Sequence, residues 1–108
     1  MDPDLVNKVA EALIVAGLPV NTGATLTVST ASGTAATALE RAARISGATA
    51  EGMEGYGVAI AAADLNLPVI EIRAISNVVG PRDREAWRIV EALAQLEAAS
   101  SVLREVWK

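Results

Sequence analysis

The sequence contains no cysteine and no histidine. Their absence excludes disulfides, thiolate and imidazole catalysis, and the zinc sites that these side chains build. Phenylalanine is also absent and aromatic residues make up only 3% of the chain, so a core has to be built mainly from alanine and aliphatic side chains. We expect neither a metal ion nor another cofactor.

Positive charge is scarce as well. Nine Lys and Arg residues stand against thirteen Asp and Glu residues, and a chain with a net charge of −4 lacks the basic surface that nucleic-acid binding requires. No uninterrupted apolar run approaches the roughly 18 residues that indicate a membrane span. The acidic start, Met-Asp-Pro-Asp, differs from the basic start of a signal peptide. We therefore expect a cytoplasmic protein that binds neither nucleic acid nor a membrane.

Apolar residues are abundant, at 52% of the chain. Helical spacing predicts helices over residues 3–16, 35–45, 56–65 and 84–107. Runs of β-branched residues predict strands over residues 24–30, 48–51 and 69–76. Asp2 and Asp83 are the predicted N-caps of the first and last helices. The alternation predicts the α/β class with parallel pairing, but so few strands mean that a partner completes the sheet or that part of the domain is missing from this chain.

Two polar loops follow predicted strands, where ligands bind in α/β sheets. The first is Glu-Gly-Met-Glu-Gly, which contains Glu54, and the second begins at Asn77. Glu54 is either a favourable charge at a helix N-terminus or an acceptor for two adjacent hydroxyls, as in a ribose. Asn77 is either a local turn residue or an amide that holds the ring nitrogen and the carbonyl of a purine.

Other polar side chains are weaker candidates. Met53 can pack against a sugar or a base, although core packing is the simpler interpretation. The hydroxyls of Ser29 and Thr30 can contact a ligand, but hydrogen bonds to the local backbone are commoner. Glu51 is more typical of a surface residue or an ion-pair partner, and Arg73 lies inside a predicted strand, so we do not assign it to a phosphate site.

The two loops together resemble the nucleoside phosphorylase and nucleosidase superfamily. Members of that superfamily have a Met-Glu-Gly or Met-Glu-Ala turn and then a strand that ends in Ile-Ser-Asp or Ile-Ser-Asn; here the motifs are residues 51–55 and 71–77. The continuation over 79–87 is most similar to the futalosine hydrolases. The resemblance implies a three-layer α/β/α domain with a mixed, largely parallel sheet, and it implies that residues 1–108 are the C-terminal half of that single domain, without the N-terminal half.

The resemblance also implies residue roles and a reaction. Glu54 matches the ribose-binding glutamate, Met53 the methionine beside the sugar, and Asn77 the residue that meets the purine ring, while 28–32 match a strand end on the base side. The implied reaction is hydrolysis of the N-glycosidic bond of a 6-oxopurine nucleoside, such as futalosine in menaquinone biosynthesis. The family's glycine-rich early loops and water-activating acid have no counterpart here, so we expect the isolated chain to be weak or inactive.

Three alternatives stay open. A nucleoside phosphorylase would need a phosphate site of Arg and Ser residues, which is not evident in this sequence. An enzyme of the 5'-methylthioadenosine/S-adenosylhomocysteine nucleosidase type usually has Asp where this chain has Asn77. A non-catalytic fragment that folds by oligomerising would use the long last helix. The expected partners are a purine nucleoside and either a second copy of the chain or a complementing N-terminal half.

Overall fold

Helices and short strands alternate along the chain. The computed structural model describes residues 2–81 and 83–107, which leaves Met1, Arg82 and Lys108 outside the described residues. The elements are α1 (Pro3–Val15), β1 (Ala24–Thr27), α2 (Ala35–Arg44), β2 (Ala48–Gly52), α3 (Gly55–Asp64), a 3₁₀ turn (Arg84–Ala86) and α4 (Ile89–Val106). Among these helices, none combines the length and the apolar character that crossing a membrane requires.

Capping side chains set the starts of α1 and α2. The side chain of Asp2 accepts a hydrogen bond of 2.9 Å from the backbone N–H of Asp4, which confirms Asp2 as the predicted N-cap. The hydroxyl of Thr34 caps α2 in the same way, accepting from the Thr37 N–H at 3.1 Å. The chain leaves α1 through Gly17, whose φ of +89° favours glycine.

The two strands form a parallel pair, with Leu26 opposite Glu51 and Thr27 opposite Gly52. Because α2 lies between them in the sequence, the unit is a β–α–β crossover, and the predicted α/β class with parallel pairing is confirmed. Strand β1 is shorter than the predicted 24–30, since the chain bends at Ser29 and Thr30. The bend lets this loop reach side chains of α2 and β2, as described below.

The predicted strand over 69–76 is wrong. A strand needs ladder hydrogen bonds to a neighbour, and among the described residues the backbone hydrogen bond found for this segment runs from the Arg88 N–H to the Ser76 carbonyl, at 2.7 Å. A central cleft of about 1070 Å³ lies beside the segment and is lined both by Thr25 of β1 and by Ile72. The β-branched residues favour an extended backbone here, but within the described ranges neither β1 nor β2 forms ladder hydrogen bonds with the segment.

The last helix begins later than predicted, at Ile89 instead of Arg84. Residues Arg84–Ala86 form a 3₁₀ turn, before which Asp83 makes no side-chain cap. At Trp87 the backbone is extended (φ −74°, ψ 133°), and the next N–H is the one that bonds to the Ser76 carbonyl. This tertiary hydrogen bond replaces the helical one, so the helix is interrupted where the sequence pattern alone continues.

The core is small and lies where α1 packs against α4. Its buried side chains are Val9, Leu13 and Ala99, and Ile70 and Ile72 of the 69–76 segment pack against them. Large apolar side chains of α3 and α4 remain exposed, among them Tyr56, Val58, Val90 and Leu93. The 69–76 segment is therefore held by side-chain packing on its apolar side, which leaves its charged side chains facing the start of α3.

Candidate functional site

Glu54 lies in the turn between β2 and α3. It is the residue before the first turn of α3, but its side chain does not cap that helix. Instead, the Nη2 of Arg73 donates a hydrogen bond of 2.8 Å to its Oε2. The side chain of Glu54 is 69% exposed, so most of the carboxylate stays accessible to a ligand.

Arg73 connects Glu54 to a second carboxylate. Its Nε donates a hydrogen bond to Oε2 of Glu71 at 2.6 Å, while its Nη2 donates to Oε2 of Glu54. We call Glu54, Glu71 and Arg73 the outer cluster. The hydrogen bond from Arg73 holds the pKa of Glu54 below its ordinary value, and the hydrogen bonds to Glu54 and then Glu71 raise the pKa of Arg73. The hydrogen bond therefore favours the ionised form of Glu54 over the protonated form.

A cavity of about 410 Å³ opens at the outer cluster. Its charged end is formed by Glu54, Glu71 and Arg73, and its walls are apolar side chains of α3 and α4, including Val58, Leu93 and Leu96. The volume lies in the range of about 300–1,000 Å³ that is typical of small-molecule sites. The arrangement suits a ligand with hydroxyls at one end and an apolar body.

Asn77 does not line this cavity or the central cleft. Its amide is engaged locally: Ser76 Oγ donates to Oδ1 at 2.5 Å, and Nδ2 donates to the Val78 carbonyl at 3.1 Å. Asn77 follows Arg73 by four residues, which can span at most about 14 Å. One ligand could therefore contact both the outer cluster and the Asn77 amide. The structure nevertheless does not bring Asn77 into the cavity that contains Glu54.

The remaining predicted contacts are exposed. Met53, beside Glu54, is 54% exposed. Ser29 and Thr30 lie in the bend after β1, and the Thr30 carbonyl accepts a hydrogen bond of 2.8 Å from Nη1 of Arg41. None of these three predicted side chains lines the cavity at the outer cluster. Their assignment to substrate contacts stays a prediction.

A second arginine–carboxylate group lies at the other side of the β2–α3 turn. The carboxylate of Glu51 accepts two hydrogen bonds from Ser32, at 3.0 Å from the backbone N–H and at 2.6 Å from the hydroxyl. It accepts a third from Nη1 of Arg41 at 3.2 Å. We call Ser32, Arg41 and Glu51 the inner cluster. Burial raises the pKa of Glu51, but the hydrogen bonds from Ser32 and Arg41 outweigh it, and the pKa lies below its ordinary value. The cluster fixes the loop after β1 against the end of β2.

Sequence reasoning did not identify Arg73 and Glu71 as site residues. A signal for them was present, since side chains two residues apart in extended backbone lie on the same side. Glu71 and Arg73 are such a pair, and Ile70 and Ile72 are the apolar pair on the opposite side. The alternation predicts that both charges face away from the core, but it does not tell which turn they meet.

The similarity to known proteins covers nearly the whole chain. The sequence profile of the Phosphorylase superfamily matches residues 1–107. The chain belongs to this superfamily. It is 57% identical over 89 residues to the futalosine hydrolase of Streptomyces coelicolor, a match that covers 80% of the chain and 38% of the relative. No solved structure matches the chain.

Two further relatives agree with the first. The futalosine hydrolase of Acidothermus cellulolyticus is 46% identical over 107 residues, covering 99% of the chain and 44% of the relative. That of Thermus thermophilus is 39% identical over 99 residues, covering 92% and 41%. The resemblance stated from the two loops is confirmed. The chain spans less than half the length of the curated relatives that it matches.

Proposed function

We propose that this chain carries the ribose-binding part of a hydrolase that cleaves the N-glycosidic bond of a 6-oxopurine nucleoside, with futalosine as substrate and hypoxanthine as the released base. The observation that carries the proposal is Glu54, an exposed carboxylate that accepts a hydrogen bond from Arg73 at the charged end of a cavity of ligand size. The similarity to three futalosine hydrolases supports this choice of substrate.

The chemistry follows from the charge of Glu54. An ionised carboxylate accepts hydrogen bonds from two neighbouring hydroxyls, so Glu54 can hold the 2'- and 3'-hydroxyls of a ribose. As the glycosidic bond breaks, positive charge develops on the sugar in an oxocarbenium-like transition state. The fixed negative charge nearby stabilises that state more than the neutral ground state, which is what accelerates a reaction.

Asn77 is the proposed contact for the leaving base. Its Nδ2 would donate to the ring carbonyl of a 6-oxopurine while its Oδ1 accepts from a protonated ring nitrogen. Both atoms now bond to Ser76 and Val78, so the amide has to exchange these local bonds for bonds to the base. Because those partners are its chain neighbours, the exchange requires a side-chain rotation and no rearrangement of the fold. Met53, Ser29 and Thr30 would contact the sugar and the base.

We propose that the acid that activates water lies in the N-terminal half of the domain, outside residues 1–108. We propose that residues 1–108 are the C-terminal half of one phosphorylase-like domain in the cytoplasm, completed by an N-terminal half or by a further copy of the chain. The match to only 38–44% of each relative supports this arrangement. The 69–76 segment supports it as well, because it lies beside the central cleft and forms no strand ladder with any described residue, which leaves its backbone open to a strand from elsewhere.

The test is a chimaera in which the part of the Acidothermus cellulolyticus futalosine hydrolase that precedes the matched region is joined to residues 1–108. Release of hypoxanthine from futalosine is measured with and without phosphate, since phosphate dependence would instead favour a phosphorylase. We expect Glu54→Gln and Asn77→Ala each to lower turnover about 10²–10³-fold without unfolding the protein. Glu40→Gln, at an exposed ion pair of α2, is the matched control. Near-normal turnover in both site variants would show that the assignment is wrong.

A further inference from the structure

The three charges of the outer cluster differ in how firmly they are held. The side chain of Glu71 is 19% exposed, that of Arg73 33% and that of Glu54 69%. Glu71 is linked to Arg73 twice, through the 2.6 Å hydrogen bond to Nε and through the short stretch of chain that joins the two residues. Glu54 reaches the same guanidinium only through Nη2. Exposure therefore rises from a fixed end at Glu71 to an accessible end at Glu54.

The turn that carries Glu54 is shaped to admit this pair. A Cβ added to Gly55 would overlap Oε1 of Glu71, and a Cβ added to Gly52 would lie 2.7 Å from Cζ of Arg73. The ends of the two charged side chains therefore lie directly beside the backbone on either side of Met53 and Glu54. The two glycines leave the space that Glu71 and Arg73 occupy at this turn.

The consequence concerns the direction of the guanidinium. A free arginine side chain samples many rotamers, and that freedom has to be lost before it can hold a partner in one geometry. The bond from Nε to Glu71 removes much of it in advance and leaves Nη2 directed at the turn. We propose that Glu71 is a positioning residue: it fixes Arg73 so that Arg73 orients the Glu54 carboxylate at the mouth of the cavity. The inference rests on the proposed role of Glu54 in ribose binding.

The opposite possibility is that Glu71 competes with Glu54 for Arg73. The two possibilities predict opposite changes in the pKa of Glu54 when Glu71 is removed. Removing the negative charge of Glu71 by itself lowers the pKa of Glu54, because a like charge is lost. If Glu71 positions Arg73, its loss also loosens the Arg73–Glu54 hydrogen bond, which raises that pKa. A net rise can only come from the loosened arginine.

The experiment is an NMR titration of the glutamate carboxyl carbons in the 108-residue chain. We expect the pKa of Glu54 to rise in Glu71→Gln and to approach its value in Arg73→Gln, with no further rise in the double variant. Glu71→Asp keeps the charge but is one methylene too short to reach Nε in the same way, and we expect a rise there too. Glu40→Gln is the control and should leave the titration of Glu54 unchanged. An unchanged or lower pKa in both Glu71 variants would overturn the proposal.

Kinetics of the chimaera separate this inference from the function on which it rests. We expect Glu71→Gln to lower kcat/KM roughly tenfold to a hundredfold, mainly through kcat, because a misplaced carboxylate stabilises the transition state less well. If Glu54→Gln leaves turnover intact, the proposed role of Glu54 in ribose binding fails, whatever the titration gives. If Glu54→Gln removes turnover while Glu71→Gln and Glu71→Asp change neither the turnover nor the titration of Glu54, the positioning role alone fails.

Discussion

Two glutamates three residues apart, Glu51 and Glu54, each bind an arginine, and the two resulting clusters differ in nearly every other respect. In the inner cluster, Glu51 has 11% of its side chain exposed and accepts three hydrogen bonds from protein groups. In the outer cluster, Glu54 is 69% exposed and faces a cavity. The two glutamates lie on either side of Gly52, where β2 ends and the chain turns towards α3.

The comparison shows what separates a structural carboxylate from one that can bind a ligand. Hydrogen bonds lower the pKa of both side chains, from Ser32 and then Arg41 for Glu51 and from Arg73 for Glu54, so ionisation alone does not distinguish them. Accessibility does: the oxygens of Glu51 are used by Ser32 and Arg41, whereas Glu54 keeps most of its surface free. A site residue in this chain is therefore an ionised group whose partners leave room for another donor.

The largest effect on stability is expected at the inner cluster. Glu51→Ala leaves the N–H and hydroxyl of buried Ser32, together with Arg41, without their carboxylate acceptor. We expect the free energy of unfolding to fall by roughly 2–3 kcal/mol, measured by urea denaturation. Glu54→Ala is the matched control and should leave the urea midpoint nearly unchanged. Equal losses in the two variants would remove the distinction between the clusters.

The second effect is on the pH dependence of stability. The pKa of Glu51 is lowered in the folded protein, so its contribution is fully present above the ordinary glutamate pKa of about 4.3 and is lost as the pH falls through the folded value. The difference in unfolding free energy between the natural chain and Glu51→Gln should therefore be largest near neutral pH and shrink on acidification. A difference that grows with acid would contradict the hydrogen-bonding assignment.

A smaller effect is expected where the outer cluster meets the turn. Gly55→Ala places a methyl group against the Glu71 carboxylate, and we expect a loss of roughly 0.5–1 kcal/mol in unfolding free energy. In a Glu71→Ala background the contact is gone, and the same change should be neutral or stabilising, because alanine is a better helix former than glycine. Urea denaturation of the four proteins in this cycle measures the coupling. Additive effects would mean that the turn and Glu71 are independent.

Much of the fold follows from local sequence signals. The N-cap Asp2 and the helix spacing after it are read from a few neighbouring residues, and both are confirmed by the structure. The superfamily was recognisable from the two loops that contain Glu54 and Asn77, since they combine unusual residues at a fixed separation. Such information is available in the sequence because it depends on short stretches of chain.

What depended on distant contacts was not predictable. The 69–76 segment has strand composition, yet pairing depends on a neighbour that no residue of the segment specifies. The break before α4 arises from the hydrogen bond between Arg88 and Ser76, and sequence spacing does not show it. The arginine partners of Glu54 and Glu51 were not predictable for the same reason, because Arg73 and Arg41 approach them from distant parts of the chain.

The smallest effect on stability is expected for a third ion pair, between Glu40 and Arg44, which lie one turn apart on α2. This pair is exposed and does not line a cavity. Both side chains are more than 60% exposed, at 63% and 69%, so water competes with the ion pair and salt screens it. We expect Glu40→Gln to change the unfolding free energy by only about 0.3 kcal/mol. A calorimetric scan at low and at high salt measures it. A loss as large as that of Glu51→Ala would show that burial is not what makes the inner cluster structural.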